Sequence, residues 1–464
     1  MTAGAAPGGN GGATAGGAGS GGAAGGAAGG AGSGGSAGST GGATGGMAGD
    51  GASGGTGGSA TPEVCSFNIK GALSPNIPTV GVVDWSTDLA GLTEARIEFT
   101  LDDPKDGELN VGSGGPISVS DPSAWMLGLK PGRTYTYRLV AKAGNTTCIS
   151  PDHSLTTEVD AEAPVVTRTL TDLGASRGNG FIVACSYRDE GAMIIDADGA
   201  VVWWYDVPFD CSRAHMDWAG EYLWVLKANP TPDVTGDVRR VRMDGSGAES
   251  ISGLEKSHHD FAVLPDGGTA FMLWTSTGDD SSDLVERSPQ GALHTVVNLG
   301  DSGFGVNTSM YHANSLRYYA RDDSYSVTDL TMTGVYQFDR DGKSPWHSQT
   351  MLYGIHGHEL LPNGNLLYFE AHNGNPNLSG PSPIHEYSYD SSGNPHLEWS
   401  YSGTGESFVL GDVVRLSNGN TLINYTTGSR MEEINQDQAL VQTLSGIGQI
   451  GYISVRSTLY GPPQ

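Results

Sequence analysis

Val335-Tyr-Gln-Phe-Asp-Arg-Asp-Gly-Lys-Ser-Pro-Trp346 reads as an apolar strand, a turn built on Asp and Gly, and a second strand ending in tryptophan. The phrase recurs as Ile194-Ile-Asp-Ala-Asp-Gly-Ala-Val-Val-Trp-Trp204 and as Tyr387-Ser-Tyr-Asp-Ser-Ser-Gly-Asn-Pro-His-Leu-Glu-Trp399, with weaker copies over 241–250, 284–297 and 431–444. Repeats of roughly 45 to 50 residues, each with room for four strands and without helical periodicity, predict a β-propeller. Six copies fill the chain from 165 to 464, so the expected fold is all-β with six blades.

Working outward, a second hairpin precedes each phrase. Ile355-His-Gly-His-Glu-Leu-Leu-Pro-Asn-Gly-Asn-Leu-Leu-Tyr-Phe369 is its fullest copy; His259-Asp260 opens another, and 412–423 repeats the pattern without histidine. Four units carry a histidine near this point: His215, His259, His312 and His356. The innermost strands of a propeller run along its central channel, so equivalent positions converge, and the four are expected at one mouth. A cluster of neutral imidazoles can hold zinc or copper, here with Asp260 or Glu359, or can supply a nucleophile and its proton carriers. His258, by alternation, is expected to face away from the channel, and His347, His372, His385 and His396 to lie in solvent.

Ahead of the propeller, residues 63–160 read as short strands between turns. Arg133-Thr-Tyr-Thr-Tyr-Arg-Leu-Val-Ala141 alternates with period two, which puts Tyr135, Tyr137 and Leu139 on one buried face. About 95 residues suit a β-sandwich.

Residues 1–62 are almost entirely Gly, Ala, Ser and Thr. With so little apolar surface to offset ordering entropy, the segment is expected to be a disordered tether, about 40 to 45 Å in root-mean-square span. Such a tether can hold folded domains off a surface, which suggests an exported protein, although neither a signal peptide nor a membrane span is visible. The formal charge of -27, with 51 acids against 24 lysines and arginines, argues against nucleic acid as a partner. Four cysteines without metal spacing suggest two disulfides, Cys65 with Cys148 and Cys185 with Cys211. Nothing in the sequence specifies an oligomeric state.

The segment Leu127-Gly-Leu-Lys-Pro-Gly-Arg-Thr-Tyr135, with Trp85 upstream, resembles a fibronectin type III module. The propeller resembles the bacterial aryl-sulfate sulfotransferases (arylsulfotransferases) through the His259-Asp260 hairpin, Tyr311-His-Ala-Asn-Ser315 followed by Arg321-Asp-Asp-Ser324, and His356 with Leu361-Pro-Asn-Gly-Asn365. The resemblance implies an exported propeller that moves a sulfuryl group from an aryl sulfate to a phenol without a cofactor such as 3'-phosphoadenosine 5'-phosphosulfate (PAPS). It implies a transient sulfohistidine at His356, with His259 and His312 holding sulfuryl oxygens and assisting the leaving phenol. Tyr311, Asn314, His358 and His215 are the expected substrate contacts. An arginine of the family has no counterpart: Leu330 stands at its place, next to Asp329, which leaves Arg317 and Arg430 to supply positive charge from elsewhere.

Overall fold

The structure is a computed structural model of the chain. It describes residues 65–463 apart from 172–175, 189–190, 276–281, 300–311, 330–333, 345, 349–351, 353 and 373–379. The expected tether, Tyr311 and Leu330 lie outside the described residues.

The N-terminal region is two sheets facing one core. Phe67–Leu73, Gly81–Thr87 and Ser123–Met126 form one; Gly112–Ile117, Glu94–Leu101, Thr134–Ala143 and Thr146–Ile149 form the other, with His153–Thr156 also paired to Thr134–Ala143. Tyr135, Tyr137 and Leu139 are buried as their alternation predicts, and they pack with Trp85, Ile97, Phe99 and Met126. The Cys65–Cys148 disulfide closes this region.

Six further sheets follow, one for each predicted unit. Blade one is Phe181–Cys185, Gly191–Asp196 and Val201–Asp206; blade two is Cys211–Met216, Tyr222–Lys227, Val238–Arg242 and Glu249–Ser250. Blade three is Ser257–Val263, Thr269–Trp274, Ser282–Arg287 and Leu293–Asn298. Blade four is Ala313–Tyr319, Ser324–Asp329, Gly334–Asp339 and Trp346–His347. Blade five is Ile355–Leu360, Leu366–Glu370, Pro383–Tyr389 and Pro395–Ser402, and blade six is Asp412–Arg415, Thr421–Tyr425, Arg430–Ile434 and Leu440–Ser445. From blade two to blade six, the first strand of each blade packs against the first strand of the next, which makes the arrangement a propeller. Middle strands such as Leu366–Glu370 are buried along their whole length, which explains their continuous apolar runs.

The repeated phrase is the outer hairpin of each blade; its turn carries Asp and Gly in blades one, two, four and five, and reads Ser288-Pro-Gln-Gly291 in blade three and Asn435-Gln-Asp-Gln438 in blade six. In blade four its Gly342 has φ of +78°, a left-handed conformation that favours glycine, and a Cβ there would stand 2.2 Å from the Val296 carbonyl oxygen of the preceding blade.

Two strands from far along the chain close the ring. Ser454–Arg456 pairs with Phe181–Cys185 and becomes the inner strand of blade one, while Thr167–Leu170 adds an outer edge to blade six. The sandwich is fixed to this closure. Lys130 Nζ reaches Asp198 Oδ2 at 2.7 Å and also bonds Asp196, and Tyr460 Oη accepts from the Leu127 N–H at 2.8 Å.

Candidate functional site

Blades two to five share one irregularity. Cys211 and Arg213 pair with the adjacent residues Lys227 and Leu226, leaving Ser212 as an extra residue. His258 and Phe261 pair with Met272 and Phe271, leaving His259 and Asp260. The same shift falls at Asn314-Ser315 in blade four and His356-Gly357 in blade five. A bulge frees a residue from the ladder and re-aims its side chain. Here the re-aimed side chains Ser212, His259, Asn314 and His356 line one cavity of about 200 Å³ at a channel mouth, together with His312 and Asn229. His259 has φ of +52°, a left-handed conformation that costs a non-glycine residue of order 1 kcal/mol.

The hydrogen bonds fix the protons. His356 Nδ1 lies 3.0 Å from the Gly354 carbonyl oxygen, which only accepts, so Nδ1 carries the hydrogen. Burial pushes the His356 imidazole down to about 4, with His312 adding to the effect, so near neutrality the ring is uncharged and Nε2 keeps its lone pair. His259 Nε2 faces His312 Nε2 at 3.1 Å, and His259 Nδ1 lies 2.8 Å from His258 Nδ1. His258 Nε2 continues the line to Ser282 Oγ at 2.9 Å. Burial holds His258 and His259 well below the usual histidine range. Asn314 accepts from Tyr452 Oη on its Oδ1 at 2.7 Å, which assigns its amide orientation. Asn229 donates to the Ser257 carbonyl at 2.9 Å, and its buried Oδ1 has no partner among the described residues.

Beside the cavity an ionic cluster crosses the channel. Arg213 grips Asp260 with two bonds, Nε to Oδ1 at 2.6 Å and Nη2 to Oδ2 at 2.8 Å, and donates to the Ile453 carbonyl. Arg317 Nη2 pairs with Asp412 Oδ1 at 2.5 Å, and Asp412 Oδ2 accepts from the Ile453 N–H. Arg213, Asp260 and Asp412 are fully buried. Gly357 makes room for this: a Cβ on it would stand 2.1 Å from Asp412 Oδ1.

Several expectations are corrected by this geometry. His215 lies three residues beyond the bulge position of its strand and lines a different pocket with Trp218, Arg317 and Arg456. His358 does not reach the histidine cavity, because the bulge between Ile355 and His358 separates its direction from that of His356; its ring nitrogens meet Ser315 Oγ at 3.0 Å and Ser326 Oγ at 2.6 Å. Arg317 is held by Asp412 rather than lining the cavity. Arg430, on the third strand of blade six, bonds Glu432 and Thr404. His258 is no bystander, since the two-residue bulge brings its ring against His259. His385 is not solvated but half-buried against Glu370. Sequence reasoning missed Asn229, Ser282, Trp274 and Tyr452; the doubled His258-His259 at a strand start was the one available signal, since a bulge points neighbours to related places. Among the described residues no group of three His, Cys, Asp or Glu side chains is arranged to hold a metal ion. No described helix is long and apolar enough to cross a membrane.

No protein-family profile and no curated protein matches the chain. Among solved structures it is similar to the periplasmic gluconolactonase of Pseudomonas aeruginosa, at 13% identity and a TM-score of 0.41, covering 60% of this chain and 98% of that one. It is also similar to a catalytically inactive virginiamycin B lyase from Staphylococcus aureus with quinupristin, at 10% identity and a TM-score of 0.40, covering 63% of this chain and 97% of that one.

Proposed function

We propose that the chain is an exported, PAPS-independent aryl-sulfate sulfotransferase that works through His356, with a fibronectin type III-like module as spacer. The observation that carries this reading is the bare Nε2 of His356, set by the Nδ1 bond to the Gly354 carbonyl, in a cavity shared with His259, His312 and Asn314. Nε2 attacks the sulfur of an aryl sulfate; the N–S bond forms, the S–O bond to the ring breaks, and its electrons leave on the phenolate oxygen. A proton taken up onto the His312–His259 pair as the anion enters passes to that oxygen and makes this a tolerable leaving group, which returns the pair to its unprotonated state. In the second half, an acceptor phenol attacks the sulfur, returns its proton to the pair, and restores the lone pair to Nε2. The Asn314 amide nitrogen supplies a donor for a sulfuryl oxygen, and the Asn229 Oδ1 an acceptor for a phenol hydroxyl. Two disulfides and the Gly-rich N-terminal composition support an oxidising, exported setting.

The test is release of 4-nitrophenol from 4-nitrophenyl sulfate in the presence of a phenol acceptor. Release is expected from the protein and is expected to vanish in His356→Ala; release undiminished in that variant would sink the assignment.

A further inference from the structure

All 24 lysines and arginines of the chain lie among the described residues, and none lines the histidine cavity. Arg213 and Arg317 are neutralised by Asp260 and Asp412. Lys227, next to cavity residue Ala228, turns its Nζ to the Thr235 carbonyl, and Lys256 turns to that of Thr275. Arg188 is exposed, with its guanidinium carbon 5.4 Å from the centroid of the Tyr187 ring, and does not line the cavity. A sulfuryl group that enters the cavity therefore brings a negative charge to a place where, among the described lining residues, imidazoles are the groups that can take up a positive charge.

The imidazoles are built to do so. His312, His259 and His258 form a continuous line of ring nitrogens that ends on the Ser282 hydroxyl. One added proton can be shared along that line by shifting the hydrogens between facing nitrogens. The Trp274 ring lies parallel to His258 with centroids 3.7 Å apart and an interplanar angle of 13°, and presents its edge or face to His259 and His312 at 5.9 and 6.1 Å. An indole face stabilises a cation stacked on it. Among the described residues, the other charged and titratable groups around the line include His356 from blade five, Asp260 with its Arg213 partner, Tyr187 in the cavity lining, and Asp329, whose Oδ1 accepts the His312 backbone N–H at 3.2 Å.

We infer that the cavity binds an arylsulfonyl or arylsulfuryl monoanion together with one proton, which the His312–His259–His258 line carries against Trp274 in place of a guanidinium. The inference rests on the proposed role of the same cavity and deepens it by assigning the counter-charge. Water supplies the proton through the buffer, the anion and the proton enter together, and both leave when the anion leaves.

The probe is benzenesulfonate, whose C–S bond cannot be transferred, measured by titration calorimetry in two buffers of different ionisation enthalpy. About one proton taken up per anion bound at pH 8 is expected, with affinity falling about tenfold per pH unit above that. Trp274→Leu is expected to weaken binding about tenfold at pH 8 and less at pH 6; neutral phenol, as control, should bind without proton uptake. Proton uptake near zero with pH-independent affinity would overturn the inference, and so would absence of benzenesulfonate binding at pH 6 in the folded protein. A chain that binds benzenesulfonate with a proton but releases no nitrophenol loses the transfer reaction and keeps this result; one that turns over aryl sulfate without proton-linked binding does the reverse.

Discussion

His259 Nε2 and His312 Nε2 face each other at 3.1 Å across 53 residues of sequence and a blade boundary. The contact between these nitrogens has room for one hydrogen, so a proton given or taken there by one ring involves the other. We therefore expect His259→Ala and His312→Ala each to slow aryl-sulfate turnover by about two to four orders of magnitude. The double variant should be no slower than the worse single one, because the rings act as a unit. Multiplied losses in kcat/KM would show that they act separately.

Acid should unfold this protein early. The folded His356 is held down at about 4 against an ordinary 6.5, and burial lowers His258, His259 and His358 in the same direction. Between those two values the unfolded chain binds protons that the fold refuses, so stability is complete above about pH 6.5 and falls as pH drops toward 4. His356 alone accounts for about 3 kcal/mol of that loss. Urea midpoints at pH 7.5 and 4.5 measure it, and the difference should shrink in His356→Phe.

The ionic cluster across the channel predicts a large penalty for a small change. Asp260→Asn removes the charge that two buried Arg213 nitrogens contact, and an uncompensated buried guanidinium costs about 3 to 5 kcal/mol. Gly357→Ala should act on the same cluster by pushing on Asp412. Denaturant melts of both variants check this; an unchanged midpoint would mean that the cluster is dispensable.

Lys130 joins the sandwich to the propeller. It is 4% exposed, and both of its carboxylate partners belong to blade one. Lys130→Met should strand Asp196 and lower the melting temperature, and calorimetry should then resolve two transitions where the parent protein shows one. A single transition at the original temperature would contradict that coupling.

The fold was legible because each outer hairpin needs its own tight turn, built on Asp and Gly in four of the six, and those turns mark the third and fourth strands of the blades. His259, His312 and His356 were legible from the hairpin they open. His215 and His358 were misjudged for one physical reason: an extra residue in an inner strand reverses the faces beyond it, and alternation in the sequence carries no mark of where that residue falls. The Arg213–Asp412 contact spans 199 residues, and nothing local to either residue announces the other.

Ring closure sets the order in which the site comes into being. Tyr452, which orients Asn314, and Ile453, which both arginines of the channel contact, belong to the segment that runs into the closing strand Ser454–Arg456. Blades two to five can form in order, yet His259, His312 and His356 remain without an oriented Asn314 or a neutral channel until residues 452–456 are in place. On the proposed reading, the His356 site is therefore completed only when the ring closes.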